Sequence, residues 1–223
     1  MPLLSYGKYM TTSELYDKIA QVPPEIIYIS GKTSTGKSTF ARQLHDKLGY
    51  DTVGLEEVLL GVCKANHLNE NATFHKVFYE DAPCEEKELY LATTDEIIKR
   101  HLQSSNRLVI EGAVSNTGML GRVLRPAGSL PVAYFHPEDL GPYIRNLTNR
   151  FMQANKVSRG GLPSKFWQHI DENEFKTFCK NRQLTEGLEN SIRHYARESQ
   201  QASFARLRKL QQLFSDITVV SID

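Results

Sequence analysis

Little in this 223-residue sequence suggests chemistry carried by cysteine, membrane or bulk charge. There are three cysteines, Cys63, Cys84 and Cys179, an odd number, widely spaced and without a C-x-x-C pair. That excludes a disulfide framework and suits thiols in a reducing compartment. The seven histidines form no H-E-x-x-H and no cluster with cysteine along the chain, so no zinc site is expected. No apolar run approaches the length that spans a bilayer, and nothing near the N-terminus has the pattern of a signal peptide. The expected location is the cytoplasm, and the two sequons at Asn71 and Asn146 are expected to be incidental. A formal net charge of +1 supplies no basic field for extended nucleic acid, and no membrane partner is expected.

What is present is an alternation of short apolar runs with helical patterns. Thr11 and Glu14 have capping-box spacing ahead of Leu15 and Ile19. Pro23-Pro24 closes that helix, and Ile26–Ile29 is continuously apolar, as a parallel strand covered on both faces would be. Phe40, Leu44 and Leu48 follow at helical spacing, with Gly49 at the C-cap position. Further strands are expected at 50–55, 108–110, 132–135 and 217–222, making five. The pattern predicts an α/β three-layer sandwich around a five-stranded parallel sheet. No repeat or composition break divides it, so residues 1–223 are expected to form one domain, with helical insertions at about 57–105 and 137–180.

Between the first strand and its helix lies Gly31-Lys32-Thr33-Ser34-Thr35-Gly36-Lys37-Ser38, a full match to G-x-x-x-x-G-K-[ST]. Its glycines permit backbone angles that aim successive N–H groups at phosphate oxygens. The following helix, opening through Lys37, Ser38 and Thr39, adds its partly positive N-terminus. In such a loop the ammonium of Lys37 bridges the β- and γ-phosphates, and the hydroxyl of Ser38 ligates Mg²⁺. Lys32 is expected to face solvent.

With these residues, the chain resembles the P-loop kinases that phosphorylate nucleotides, nucleosides and other small acceptors. The resemblance implies ATP and Mg²⁺ as cofactors and transfer of the γ-phosphate to a hydroxyl or phosphate of a small molecule. It implies an acidic residue after the second strand as the group that meets the acceptor, which is Glu56 here, with Glu57 pointing elsewhere. It implies an acid at the end of the third strand, Glu111, beside the metal. It also implies arginines on a closing lid, for which Arg145, Arg150 and Arg159 are the candidates. Arg145 and Arg150 are five residues apart and so point about 140° apart on a straight helix at ~100° per residue. They are not expected to meet the same phosphate, and Arg150 and Arg159 are preferred for catalysis. The insertion at 57–105 is expected to line the acceptor pocket, with His75, Tyr79 and Arg122 as contacts.

Two other readings use the same loop. A GTPase would need a switch segment and N-K-x-D, but Asp51-Thr52-Val53-Gly54 follows Lys37 too closely, and Asn155-Lys156 is followed by Ser158 where Asp is required. The alternative that survives is a nucleotide-binding, slowly hydrolysing or regulatory protein without small-molecule kinase activity.

Overall fold

The computed structural model describes residues 9–78, 80, 82–104, 107–112, 117–128, 130–155, 158 and 161–221. The first helix, α1 (Thr12–Gln21), starts at the capping box read from the sequence, with Thr11 and Glu14 each holding the other's backbone N–H. It leads into β2 (Ile26–Gly31), which is buried along its whole length. The loop and α2 (Lys37–Leu48) come next, and Gly49 ends that helix in the left-handed conformation. Strand β3 (Asp51–Gly54) runs directly into α3 (Leu55–Ala65), followed by α4 (Glu70–Phe78) and α5 (Glu85–Gln103). Then come β4 (Leu108–Glu111), α6 (Thr117–Leu124) and β5 (Val132–His136). Four helices, α7 (Leu140–Gln153), α8 (Ser164–Trp167), α9 (Glu172–Asn181) and α10 (Glu186–Leu213), precede the last strand, β6 (Ile217–Ser221).

The sheet has six strands rather than the five expected, all parallel, in the order β1-β6-β5-β2-β4-β3. The additional strand, β1 (Tyr9–Met10), is two residues long and pairs with β6 at the sheet edge. Two residues carry no periodicity, so pairing with an existing edge, rather than any local pattern, makes them a strand.

Strand residues alternate between two cores. Ile26, Tyr28, Leu108, Ile110, Val132 and Tyr134 pack on one face with α3 to α6 and the C-terminal half of α10. Ile27, Ile29, Val109, Ala133 and Phe135 pack on the other with α1 and α2. A third cluster, centred on Phe151, joins α7, α8, α9 and the N-terminal half of α10. Among the described residues no helix is long and apolar enough to cross a membrane.

The strand order reverses at β2, with β4 and β5 on either side, and a parallel sheet leaves a crevice above the strand ends at that point. The register brings Gly31 level with Phe135 and Gly54 level with Glu111, so the loops after β2, β3 and β4 meet at one edge.

Gly31 makes the exit from β2 possible. Its φ is +145°, and a Cβ there would collide with the carbonyl oxygen of Phe135 on the adjacent strand. Gly31→Ala is therefore expected to destabilise the fold by roughly 1–3 kcal/mol, since both strain and backbone collision must be relieved. Urea denaturation checks this; an unchanged midpoint would mean that β2 and β5 separate more easily than their register implies.

Candidate functional site

The crevice above the sheet is a cleft of ≈ 230 Å³ whose walls are mostly polar. Thr33, Ser34, Lys37 and Ser38 form one side, Gly54, Glu56 and Glu57 another, and Glu111 with Gly112 the floor. Arg150 and Gly161 close it from the α7 side. A larger hollow of ≈ 360 Å³ lies at the opposite ends of the strands, but its walls are largely apolar, including Leu15, Ile19, Val22 and Ile27.

The loop between β2 and α2 is held by its own backbone. Ser34 adopts φ 67° and Gly36 φ 92°, so the chain folds over itself twice within three residues. The Thr35 hydroxyl donates to the Lys32 carbonyl (2.7 Å), and the Lys37 ammonium donates to that same oxygen (2.9 Å). Asn146 of α7 donates to the Ser34 carbonyl (3.3 Å), tying the loop to the neighbouring helix. The Ser34 hydroxyl is buried without a hydrogen-bond partner. A buried hydroxyl without a partner is costly, so it marks a place for an acceptor such as a phosphate oxygen. Thr39 is exposed in the first turn of α2.

Cations converge on this loop. Lys37 is buried, and desolvation lowers its pKa; Glu111 and Glu56 oppose that effect, while Arg206 and Arg150 add to it. Lys32, expected to face solvent, is half-buried. Burial, with Arg206, Lys165 and Lys37 nearby, lowers its pKa to about 8. The Arg206 guanidinium reaches from α10 to the Ser30 hydroxyl (3.2 Å), and its Nε is buried without a partner. Its neighbour Tyr28 donates its hydroxyl to the Gly112 carbonyl (2.8 Å). Cations so placed repel one another until an anion joins them.

Carboxylates occupy the other side. The Ser38 hydroxyl donates to Glu111 Oε1 (3.0 Å), which puts two hard oxygen ligands side by side. That pair fits Mg²⁺, which takes one or two protein oxygens and keeps waters and phosphate oxygens for the rest of its octahedron. Glu56, an exposed residue, turns its carboxyl into the cleft, where burial raises its pKa. Lys37 opposes that shift, and Glu111 and Glu57 reinforce it.

Not every expected residue arrives here. Glu57 lines the same cleft as Glu56, contrary to the expectation that it points elsewhere: α3 begins at Leu55, so both acids sit in its first turn above the strand ends. Arg145 is exposed in the first half of α7, its guanidinium near Gly141, and does not line the cleft. Arg150 lines the cleft and donates to the Gly161 carbonyl (3.4 Å). Arg159 and Tyr79 lie outside the described residues. His75 contacts Glu80 (3.0 Å) and Arg122 contacts Glu88 (2.8 Å), and neither lines the cleft. Among the described residues of the segment 57–105, only Glu57 does.

Sequence reasoning missed Arg206, Lys165 and Asn146. A signal existed for Arg206, which stands three residues after Ser203 and so on the face of α10 that carries the buried Ser203, Leu207 and Leu210. Lys165 and Asn146 carried no such signal.

Neither a protein-family model nor a curated protein matches the chain. Among solved structures, it is similar to a sugar kinase from Janibacter sp. HTCC2649, at 10% identity over 90% of this chain and 86% of that one, with a TM-score of 0.45. It is also similar to shikimate kinase from Acinetobacter baumannii in complex with shikimate, at 14% identity over 92% of this chain and 86% of that one, with a TM-score of 0.44. A third is shikimate kinase from Bacteroides thetaiotaomicron, at 14% identity, 84% and 97% coverage and a TM-score of 0.38. Likeness at this level says nothing about individual side chains.

The lowered pKa of Lys32 has a consequence for stability. The unfolded chain holds this proton up to its ordinary value of 10.5, and the folded chain releases it near 8. Between these values the unfolded state binds more protons, so this group's contribution to stability rises with pH across the window and its penalty is full below pH 8. Lys32→Met is therefore expected to raise the melting temperature of the ligand-free protein at pH 7, with the gain fading towards pH 10. A gain independent of pH would locate the effect in packing rather than in the buried charge.

Proposed function

We propose that this protein is an ATP-dependent phosphotransferase that moves the γ-phosphate to a hydroxyl or phosphate group of a small molecule. The observation that carries the reading is the opposition of charges across one cleft. Lys37, Lys32, Arg206 and Arg150 gather with an unpartnered Ser34 hydroxyl on the loop side, and Glu56, Glu57 and Glu111 stand on the acceptor side. A polyphosphate neutralises the first group, and a proton-bearing acceptor suits the second. The whole chain would act as one domain, with the helices inserted at 57–105 and 137–180 arranged around the sheet.

In this reading the loop from Gly31 to Ser38 wraps the phosphates with its backbone. Lys37 exchanges the Lys32 carbonyl for the β- and γ-phosphate oxygens, and the phosphates offset the positive charge that burial disfavours on Lys32. Ser38 and Glu111 would hold Mg²⁺, which when bound supplies charge neutralisation at the phosphates. Glu56 orients the acceptor hydroxyl and takes its proton as the bond to phosphorus forms. Its raised pKa makes it a better base than an ordinary glutamate. Arg150 stabilises the charge that grows on the transferring group. Arg159 is a second candidate for that role, and Arg145 a candidate contact for the outer part of the nucleotide.

Lys37→Ala is expected to abolish transfer and weaken ATP binding. Glu56→Gln should keep ATP affinity and lower kcat ~10²–10⁴-fold, the usual cost of losing a general base. The wild-type rate should rise with pH through the elevated pKa of Glu56, and Glu56→Gln should lose that limb. Screening nucleosides, nucleotides, sugars and antibiotics for acceptor-dependent ATP consumption supplies the assay. ATP binding with no acceptor-dependent turnover across that screen would favour a nucleotide-binding or regulatory protein instead.

Arg150→Ala should lower kcat more than it weakens ATP binding, because the arginine acts on charge that develops during transfer. Equal losses in both would make Arg150 a ground-state phosphate contact. An unchanged kcat would leave it only the structural bond to Gly161.

A further inference from the structure

We infer that His169, His194 and Glu198 form a second metal site, for Zn²⁺, that pins the turn after α8 to helix α10. The ligand atoms of these three residues all lie within 4.8 Å of one another. His194 and Glu198 are four residues apart and share a face of α10, while His169 comes from the turn that follows α8. Two imidazoles and a carboxylate are a donor set that Zn²⁺ takes when three protein ligands leave one position to water.

The distances favour an ion over a hydrogen-bonded array. His169 Nε2 stands 3.4 Å from Glu198 Oε2, and His194 Nε2 stands 3.3 Å from Glu198 Oε1. Both exceed the 2.7–3.2 Å range of ordinary N–H···O bonds. One imidazole faces each carboxylate oxygen at a separation close to the ~3.3 Å ligand-to-ligand edge of a tetrahedron with bonds of ~2.0–2.1 Å. Each imidazole turns the same nitrogen, Nε2, towards the carboxylate. Without a cation between them, both nitrogens must carry protons, whereas one divalent ion satisfies both lone pairs and the carboxylate. The two rings meet edge to face at 5.2 Å between centroids, and His169 also packs on Tyr195 at 5.7 Å.

The site is separate from the phosphate cleft, since none of the three residues lines it. Its effect would be structural. The chain runs from Gly161, at the rim of the cleft, through α8 to His169, so a metal there would anchor the far end of that short segment on α10. The sequence shows no zinc motif because His169 lies 25 positions before His194 (194 − 169), far outside any local ligand spacing.

Zn²⁺ titrated calorimetrically into the chelator-treated, dialysed full chain is the test, with Co²⁺ as a spectroscopic probe. One equivalent of Zn²⁺ should bind, the melting temperature should rise with it, and Co²⁺ should give the visible absorption of a tetrahedral complex. His194→Ala and Glu198→Gln should each weaken binding by more than the roughly 10–100-fold that loss of a supporting residue costs. Folding is not at risk in the first variant, because the His194 side chain is 63% exposed on the helix surface. His75→Ala, an exposed histidine elsewhere, should bind as wild type. The proposal is overturned if Zn²⁺ does not bind, if binding survives in His194→Ala, or if His75→Ala weakens it equally.

Discussion

The close approach of β2 and β5 at Gly31 is the constraint on which the site depends. Here the central strand leaves the sheet with its Cα against the Phe135 carbonyl, a position that only a residue without a side chain can hold. The chain must then turn sharply, and Ser34 and Gly36 complete the turn in left-handed conformations before α2 begins. Because α2 starts where the loop ends, Lys37 and Ser38 are delivered to the crevice as its first two residues. The flanking strands bring the acids to the same level: Gly54 pairs with Glu111, and α3 begins one residue beyond Gly54. The positions of the cations and the carboxylates thus follow from one register.

That arrangement is held in place against its own electrostatics. Burial lowers the pKa of Lys37 and Lys32 and raises that of Glu56, so each charged form is disfavoured where it stands. Bonds within the loop limit the cost. Lys37 rests on the Lys32 carbonyl, Thr35 bonds to the same oxygen, and Ser38 bonds to Glu111. Each of these side chains has a partner that a ligand can replace, and Ser34 and Arg206 keep buried polar atoms with none. In the proposed phosphotransfer, groups positioned before a ligand arrives would need little reorganisation, which is the basis of electrostatic preorganisation.

The helices beyond β5 build a separate aromatic core around Phe151, and it reaches the site by two routes. Through α7 it presents Asn146 to the loop and Arg150 to the cleft. Through α10 it continues into the main core, where Arg206 bonds to Ser30 at the end of the central strand. Helix α10 is 28 residues long, and it spans both cores.

The sequence by itself determined what depends on neighbours along the chain. The capping box at Thr11, the Gly49 cap, the buried run of β2 and the loop from Gly31 to Ser38 are local patterns, and each occurs in the structure where the pattern placed it. The position of Glu111 at the end of β4 was legible for the same reason. Tertiary structure decided what depends on distant segments. Tyr9–Met10 is a strand only because β6 offers an open edge. Glu57 shares the cleft with Glu56 because α3 starts without an intervening loop, and Lys32 meets the charges of Arg206 and Lys165, which arrive from elsewhere in the chain. His169 meets His194 and Glu198 only through the packing of the α8 turn on α10. Periodicity and turn chemistry act over a few residues, whereas burial and charge depend on everything within several ångströms, and only the folded chain brings those groups together.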